Sequence, residues 1–339
     1  MTHRFPIKEI ARQAGLGPAT VDRVLNNRAH VSDQTRRRVL AAMEELEGQE
    51  TQLAARGRRL FFDMVVEAPA RFSREVRKAT EAVLPEIGIA VCRPRFIFQD
   101  IMEEAEVVDT LRRIAKRGSQ GLCLKARDTA PIREAVEELA RAGIPVVTLV
   151  TDIGSPARLD YVGLDNASAG RTAAYLIRQT LGPACGTVLA TRSHEDFLGE
   201  QEREAAFVAA LSAACPALRV VSVQGGGGVG YGTAQVLERA LHSQSDVYAV
   251  YSMGGGNQSI LRTLKHLGLR PRVYVAHDLD QDNRALIAGC HIDYVLHHDL
   301  RADIRNAFTA FLAFHRLAPA PTAAARSTVQ ILTPENLPL

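Results

Sequence analysis

Tryptophan is absent from the chain, and aromatic residues make up only 5% of its 339 positions. A binding face that needs ring stacking must therefore use Phe or Tyr. Cys92, Cys123, Cys185, Cys215 and Cys290 are odd in number, far apart and never spaced as Cys-x-x-Cys. That excludes a disulfide framework or a zinc site, and reads as small apolar side chains in a reducing compartment. No run approaches the ~20 apolar residues of a membrane helix. Residues 1–10 mix His3, Arg4, Lys8 and Glu9 with single apolar side chains, unlike the apolar centre of a signal peptide, so a cytoplasmic protein is expected. No Ser-His-Asp set, carboxylate pair or phosphate loop stands out, and no enzyme is expected. The run Gly225–Gly230 has the form G-x-G-x-x-G, but Asp246 lies at the start of the next strand, where the dinucleotide pattern wants an acid at its end. In His297-His298-Asp299, adjacent strand residues point to opposite faces. Neither a cofactor nor a metal is expected.

What is present is a soluble composition, 46% hydrophobic and 23% charged, long enough for two or three units at about 100–200 residues each. Charge is unevenly spread. Residues 1–60 carry 11 Lys and Arg against 7 Asp and Glu, whereas the remainder carries 30 against 31. A short basic head on a near-neutral body suits a module that faces phosphates.

Helical periodicity organises that head. Ile7, Ile10, Ala11 and Ala14 form one stripe after Pro6. Gly15-Leu16-Gly17 breaks it, and Pro18 opens a second helix that buries Val21, Val24 and Leu25. A third helix follows Ser32 as N-cap and buries Val39, Ala42, Met43 and Leu46. Two short helices joined by a Gly-containing turn and braced by a third are the parts of a helix-turn-helix. Pro18, Ala19, Asp22 and Arg23 then face outward near the start of the second helix, the end that enters a major groove. Arg23 suits guanine O6 and N7, and Ala19 a thymine methyl. Thr20, Asn26 and Arg36-Arg37-Arg38 suit phosphate oxygens. A protein-binding three-helix module with a solvated basic face is the alternative.

The run from Ile7 to Asn26, with Ala11, Ala14-Gly15, Thr20-Val21 and Arg23-Val24-Leu25-Asn26, resembles the head of the lactose-repressor (LacI/GalR) family of transcription regulators. So does Val31-Ser32 followed by Thr35-Arg36 and Val39. The resemblance implies that Pro18, Ala19 and Arg23 read bases. Three departures stand out: Gly17 and Asp22 replace Ser, and the hinge lacks the Leu that wedges into the minor groove. Gly57 or Arg58 stands there, so Arg56, Arg58 and Arg59 either contact a narrow groove or form a basic linker.

From Phe61 onward, β-branched runs alternate with amphipathic stretches. The runs are 61–66, 121–124, 145–150, 186–190, 219–223, 246–251, 272–276 and 292–296, with helices such as 103–117, 132–142, 167–181 and 200–214 between them. Such alternation means parallel sheets covered on both faces, and the length asks for two doubly wound lobes with a ligand cleft at the strand carboxyl ends. The fold expected is an all-α head on an α/β core. The head covers 1–48, the hinge 49–60 and the core 61–339. Within the core, lobe 1 takes about 61–162 plus 294–320, and lobe 2 about 163–293 plus 321–339. Tyr161–Gly170, Gly186–Ala190 with Glu202-Arg203, Asp246–Asn257 and Tyr274–Asp278 extend the resemblance to periplasmic-binding-protein-like sensors. Effector candidates are Asp165, Arg203 and Asp278, then Arg127, Asp128, Asp152, Asn257 and His298, with Phe72 and Tyr251 as apolar cover. The expected function is an operator-binding homodimeric transcription regulator, a repressor, controlled by a sugar or polyol. A sugar-binding transport component or an enzyme on the doubly wound core are the alternatives.

Overall fold

The computed structural model describes residues 5–28, 31–55, 59–88, 90–242, 244, 246–319 and 326–338. The head contains α1 (Ile7–Ala14), α2 (Pro18–Leu25) and α3 (Asp33–Ala55). Gly15 ends α1 at φ +61°, a left-handed cap that Gly adopts without steric cost, and Ser32 Oγ accepts from Thr35 N at 3.2 Å to start α3. Ile10, Ala11, Val21, Val24, Val39 and Leu46 close the small core. Because α3 runs on to Ala55, most of the stretch expected to be a hinge is helical backbone. Arg56, Gly57 and Arg58 lie outside the described residues.

The first lobe runs β1 (Arg59–Glu67), α4 (Ala70–Val83), β2 (Val91–Gln99), α5 (Glu104–Arg117), β3 (Gly121–Lys125), α6 (Ala130–Arg141), β4 (Val146–Leu149) and β5 (Asp160–Val162). Its sheet is parallel in the order β2-β1-β3-β4-β5. The chain then passes through α7 (Asn166–Leu181), β6 (Gly186–Arg192), α8 (Leu198–Ala214), β7 (Leu218–Gln224), α9 (Gly230–Leu241), β8 (Val247–Ser252), α10 (Asn257–His266), β9 (Val273–His277), α11 (Gln281–Ala288) and β10 (Tyr294–His297). It returns to the first lobe as α12 (Leu300–Phe314) and crosses back to end in β11 (Gln330–Leu332). The second sheet has the order β11-β10-β9-β8-β6-β7, with β11 alone antiparallel. Without β11, both lobes repeat one winding pattern, and each order reverses beside its first strand, at β1/β3 and at β6/β8.

Strand alternation sends Phe62, Met64 and Val66 to one face, under α4 and α12, and Val65, Leu122 and Leu124 to the other, under α5 and α6. Asp63, also buried, is held by Arg95 at 2.8 Å and Arg117 at 2.6 Å. The second sheet is covered by α7 and α8 on one side and α9, α10 and α11 on the other. β10 pairs with β9 in the second sheet, so residues 294–297 belong there, and the crossing expected before 294 falls at His298-Asp299.

Candidate functional site

Ligand sites in doubly wound sheets form at strand carboxyl ends where the order reverses, and the chain places its polar side chains there. Glu67 ends β1, Lys125 ends β3, Ser193 follows β6, Met253 follows β8, and His277 ends β9. With Arg71, Phe72, Phe197, Glu200, Arg203 and Asp278 they line a cavity of about 260 Å³ between the lobes.

The lobes are joined across this cavity. Arg71 Nε lies 2.8 Å from Asp280 Oδ2, and its Nη2 donates to Gly228 O at 2.8 Å. Gly199 N donates to Thr151 Oγ1 at 3.0 Å, and Asp128 N to Asp196 O at 2.8 Å. A Cβ on Gly228 would sit 2.4 Å from Gly254 O, so only glycine lets these two loops meet at the rim.

Each charged group has a partner set that fixes it. Arg203 Nε donates to Asn166 Oδ1 at 2.8 Å and Nη1 to Met253 O at 3.2 Å. It rides on α8, which approaches α7 so closely that a Cβ on Gly170 would meet Arg203 O at 2.1 Å. Glu200 accepts from Ser193 N and Ser193 Oγ, both at 2.6 Å. Lys125 Nζ donates to Glu67 O at 2.8 Å and lies 4.1 Å from the Phe197 ring centroid. Burial pushes its pKa down, against the attraction of Glu200, Glu67 and Asp278. Asp278 turns into the cavity at φ +64°. Burial opposes its charge, but His298 and Arg203 hold its carboxyl well below the usual range. Its Oδ1 lies 3.5 Å from His298 Nε2 and has no closer hydrogen-bond partner among the described residues.

In the head, Pro18, Ala19 and Arg23 are exposed along one side of α2, and Thr20 is half-buried. Arg23 makes no side-chain hydrogen bond or ion pair among the described residues. Asn26 does not stand free as expected. Its amide donates to Asp22 Oδ1 at 2.8 Å, while Arg28 pairs with Asp22 at 3.2 Å. Those contacts offset the negative charge that departs from the family pattern.

Residues 65–302 match the model for periplasmic binding protein domains, and residues 6–47 match that for bacterial regulatory proteins of the lacI family. The chain belongs to the periplasmic binding protein domain family, with a lacI-family head. That head is 53% identical over 45 residues to the HTH-type transcriptional regulator TreR of Salmonella typhimurium, covering 13% of this chain and 14% of TreR. The match thus spans a small part of the curated relative's length. The core shares its fold with GanP, a glucose-galactose binding protein from Geobacillus stearothermophilus, at TM-score 0.73 and 19% identity over 83% of this chain and 100% of GanP. An ABC transporter solute binding protein from Agrobacterium vitis, bound with alpha-D-tagatopyranose, superposes at TM-score 0.70 and 18% identity over 82% of this chain and 95% of its own.

Within this periplasmic-binding-type core, three of the sequence candidates reach the cavity: Phe72, Arg203 and Asp278. The others are engaged elsewhere. Arg127 pairs with Glu67 at 3.1 Å and donates to Met102 O. Asp128 accepts from Gly154 N at 3.0 Å and pairs with Arg133 at 3.1 Å. Asp152 takes both arms of Arg158 at 2.6 Å. Asp165 caps α7 through Ser168 N at 2.9 Å. Asn257 donates to Asn283 at 2.7 Å and accepts from Tyr274 Oη at 2.9 Å. His298 stands behind Asp278, and Tyr251 is fully buried beneath His277. Sequence reasoning missed Arg71, Lys125, Ser193, Glu200 and His277. Lys125 and His277 carried a usable signal as the last residues of their strands.

Proposed function

We propose that the chain is a sequence-specific DNA-binding transcription regulator whose core takes a small neutral sugar or polyol and works as a homodimer in the cytoplasm. One observation carries the reading: an exposed recognition face of Pro18, Ala19 and Arg23 and a two-lobed cleft carrying a few charged side chains occur on one chain. A single short recognition helix reads few base pairs, so a two-fold pair on a near-palindromic operator is the economical arrangement. The domain scheme is a head up to about residue 48, a connecting segment to about 60, and a core whose lobes divide at 163–165, 298–299 and 326–327.

The cleft's chemistry supports the ligand class. Charges lining or backing it are paired: Glu67 with Arg127, Asp280 with Arg71, Asp278 with His298. Lys125 and Glu200 face each other's field. Arg203 and Asp100, the remaining lining charges, are opposite in sign, so these groups together leave no surplus of one sign for an ionic ligand. At about 260 Å³ the cavity falls below the roughly 300–1,000 Å³ of ordinary pockets, which suits one monosaccharide. The sugars bound by GanP and the Agrobacterium protein agree with that class.

Selection of binding duplexes from a random pool, followed by calorimetry with a monosaccharide panel and operator titration with and without the bound sugar, tests the proposal. Enrichment of a two-fold motif whose affinity shifts with sugar is expected. Sugar binding without any enriched duplex would make the chain a transport component instead.

A further inference from the structure

His277 is fully walled in: it is 2% exposed, ends β9, and lines the cavity beside Asp278. Adjacent residues of a strand normally face opposite ways. Here the left-handed turn at Asp278 brings both side chains to the same cavity, and Asn283 Nδ2 holds that turn by donating to His277 O at 2.8 Å and Asp278 O at 2.7 Å.

Hydrogen-bond accounting fixes the ring's proton. His277 Nε2 lies 2.8 Å from Tyr251 Oη, and Nδ1 has no partner among the described residues. Tyr251 is itself completely buried, and its hydroxyl has no other acceptor among the described residues. If Nε2 carried the proton, both the phenol proton and the Nδ1 lone pair would go unpaired, each unsatisfied buried group costing about 1–3 kcal/mol, whereas a proton on Nδ1 leaves that one donor alone for a ligand to meet. With the phenol donating to Nε2, the imidazole proton sits on Nδ1. Burial and the nearby Arg203 push the His277 pKa well down, so the ring stays neutral.

We propose that His277 is a specificity-determining residue: a neutral imidazole locked by Tyr251 as an Nδ1–H donor, set beside the Asp278 acceptor, that selects cyclic sugars over open-chain polyols. A pyranose presents a ring oxygen, which only accepts, next to an anomeric hydroxyl, which donates. That order matches a fixed donor beside a fixed acceptor. An alditol offers hydroxyls alone, and each one that accepts from His277 must find another acceptor for its own proton. The inference rests on the sugar reading above and narrows it to the hemiacetal edge.

The test uses the full-length protein. Calorimetry compares D-glucose, D-galactose, D-xylose and D-arabinose with their alditols on wild type, His277→Phe and His277→Asn. The sugar that binds wild type should exceed its alditol by about tenfold or more, the scale of one neutral hydrogen bond. His277→Phe, which keeps a ring but no donor, should flatten that ratio. His277→Asn, whose amide places a donor near the Nδ1 position, should restore much of it. Long-range ¹⁵N–¹H spectra of labelled wild type at pH 7 should show a neutral ring protonated on Nδ1. An Nε2–H or doubly protonated ring overturns the proposal, as does an unchanged ratio in His277→Phe with the sugar still bound. If none of the four sugars binds wild type, the sugar reading itself fails and takes this inference with it.

Discussion

His298 lies in the crossing between the lobes, fully buried, with Nδ1 2.5 Å from Asp303 Oδ2 and Nε2 3.5 Å from Asp278 Oδ1. Burial alone would lower its pKa, but the two carboxylates outweigh burial and raise it to about 9. In an unfolded chain the same ring titrates near about 6.5. A raised folded value means the stabilisation is fully present below pH 6.5 and is lost as pH rises through about 9. The gap corresponds to about 3 kcal/mol, of which about 2 kcal/mol disappears between pH 6 and 8.5. Urea titrations of wild type and His298→Gln across that window read it directly. Groups that both proteins carry alike cancel in the comparison. His297, lowered to about 4 by burial, exerts its effect below pH 6.5, and Cys92, raised to about 11 by burial, begins to act only as unfolded thiols ionise, near the upper end of the window. Wild type should lose its advantage over the variant steadily towards pH 8.5. Parallel stability curves would refute a charged His298 and the account of Asp278 that depends on it.

Arg23→Ala should cost about 1–3 kcal/mol on the selected operator and much less on random duplex in an anisotropy titration; equal loss on both would make Arg23 a phosphate contact. Arg203→Ala and Asp278→Ala should each weaken sugar binding by about 1.5–3 kcal/mol, the range for charged hydrogen bonds, while sugar-free operator affinity stays near wild type. Unchanged calorimetric affinity in both would move the ligand out of this cleft. Phe62→Ala should destabilise the protein by about 3–5 kcal/mol, since its ring lies 4.8 Å from Phe308 and 5.1 Å from Phe311. A loss below about 1 kcal/mol in denaturant titrations would contradict that packing.

Most strands legible in the sequence were those buried on both faces, where apolar residues run on without interruption; the edge strand β7, only partly buried, was read from Val220, Val221 and Val223. β2 escaped because Arg93, Pro94 and Arg95 interrupt its pattern, as an edge strand permits: Pro94 has no ladder hydrogen to give, and Arg95 reaches back to Asp63. β5 and β11 are three residues each, too short for a period to register. The head was readable almost residue by residue, because its stripe, turn and cap are local features.

The cleft was less legible for a different reason. Proximity to a strand end says that a polar residue is near the cavity, but not which partner consumes it. Asp152 and Asp165 pass that rule equally with Asp278, yet Arg158 and the α7 amides claim them. Conversely, Glu200 and Arg71 sit on helices, where periodicity marks them as ordinary amphipathic residues. Only the closure of one lobe on the other makes them lining residues.

The return of α12 to the first lobe has a temporal side. Leu300, Ile304, Phe308 and Phe311 complete the core that Phe62, Met64 and Val66 begin, and Phe311 lies against the space that a Cβ on Gly121 would fill. At roughly 5–20 residues per second of synthesis, on the order of 10 s passes between the emergence of β5 and that of Phe314. Throughout that interval α4 alone covers this face of the first sheet, and the part that α12 will take stays bare. The nascent protein therefore waits on its second lobe to finish its first, and a chain cut short before Leu300 would be left with the half of that face beyond α4 uncovered.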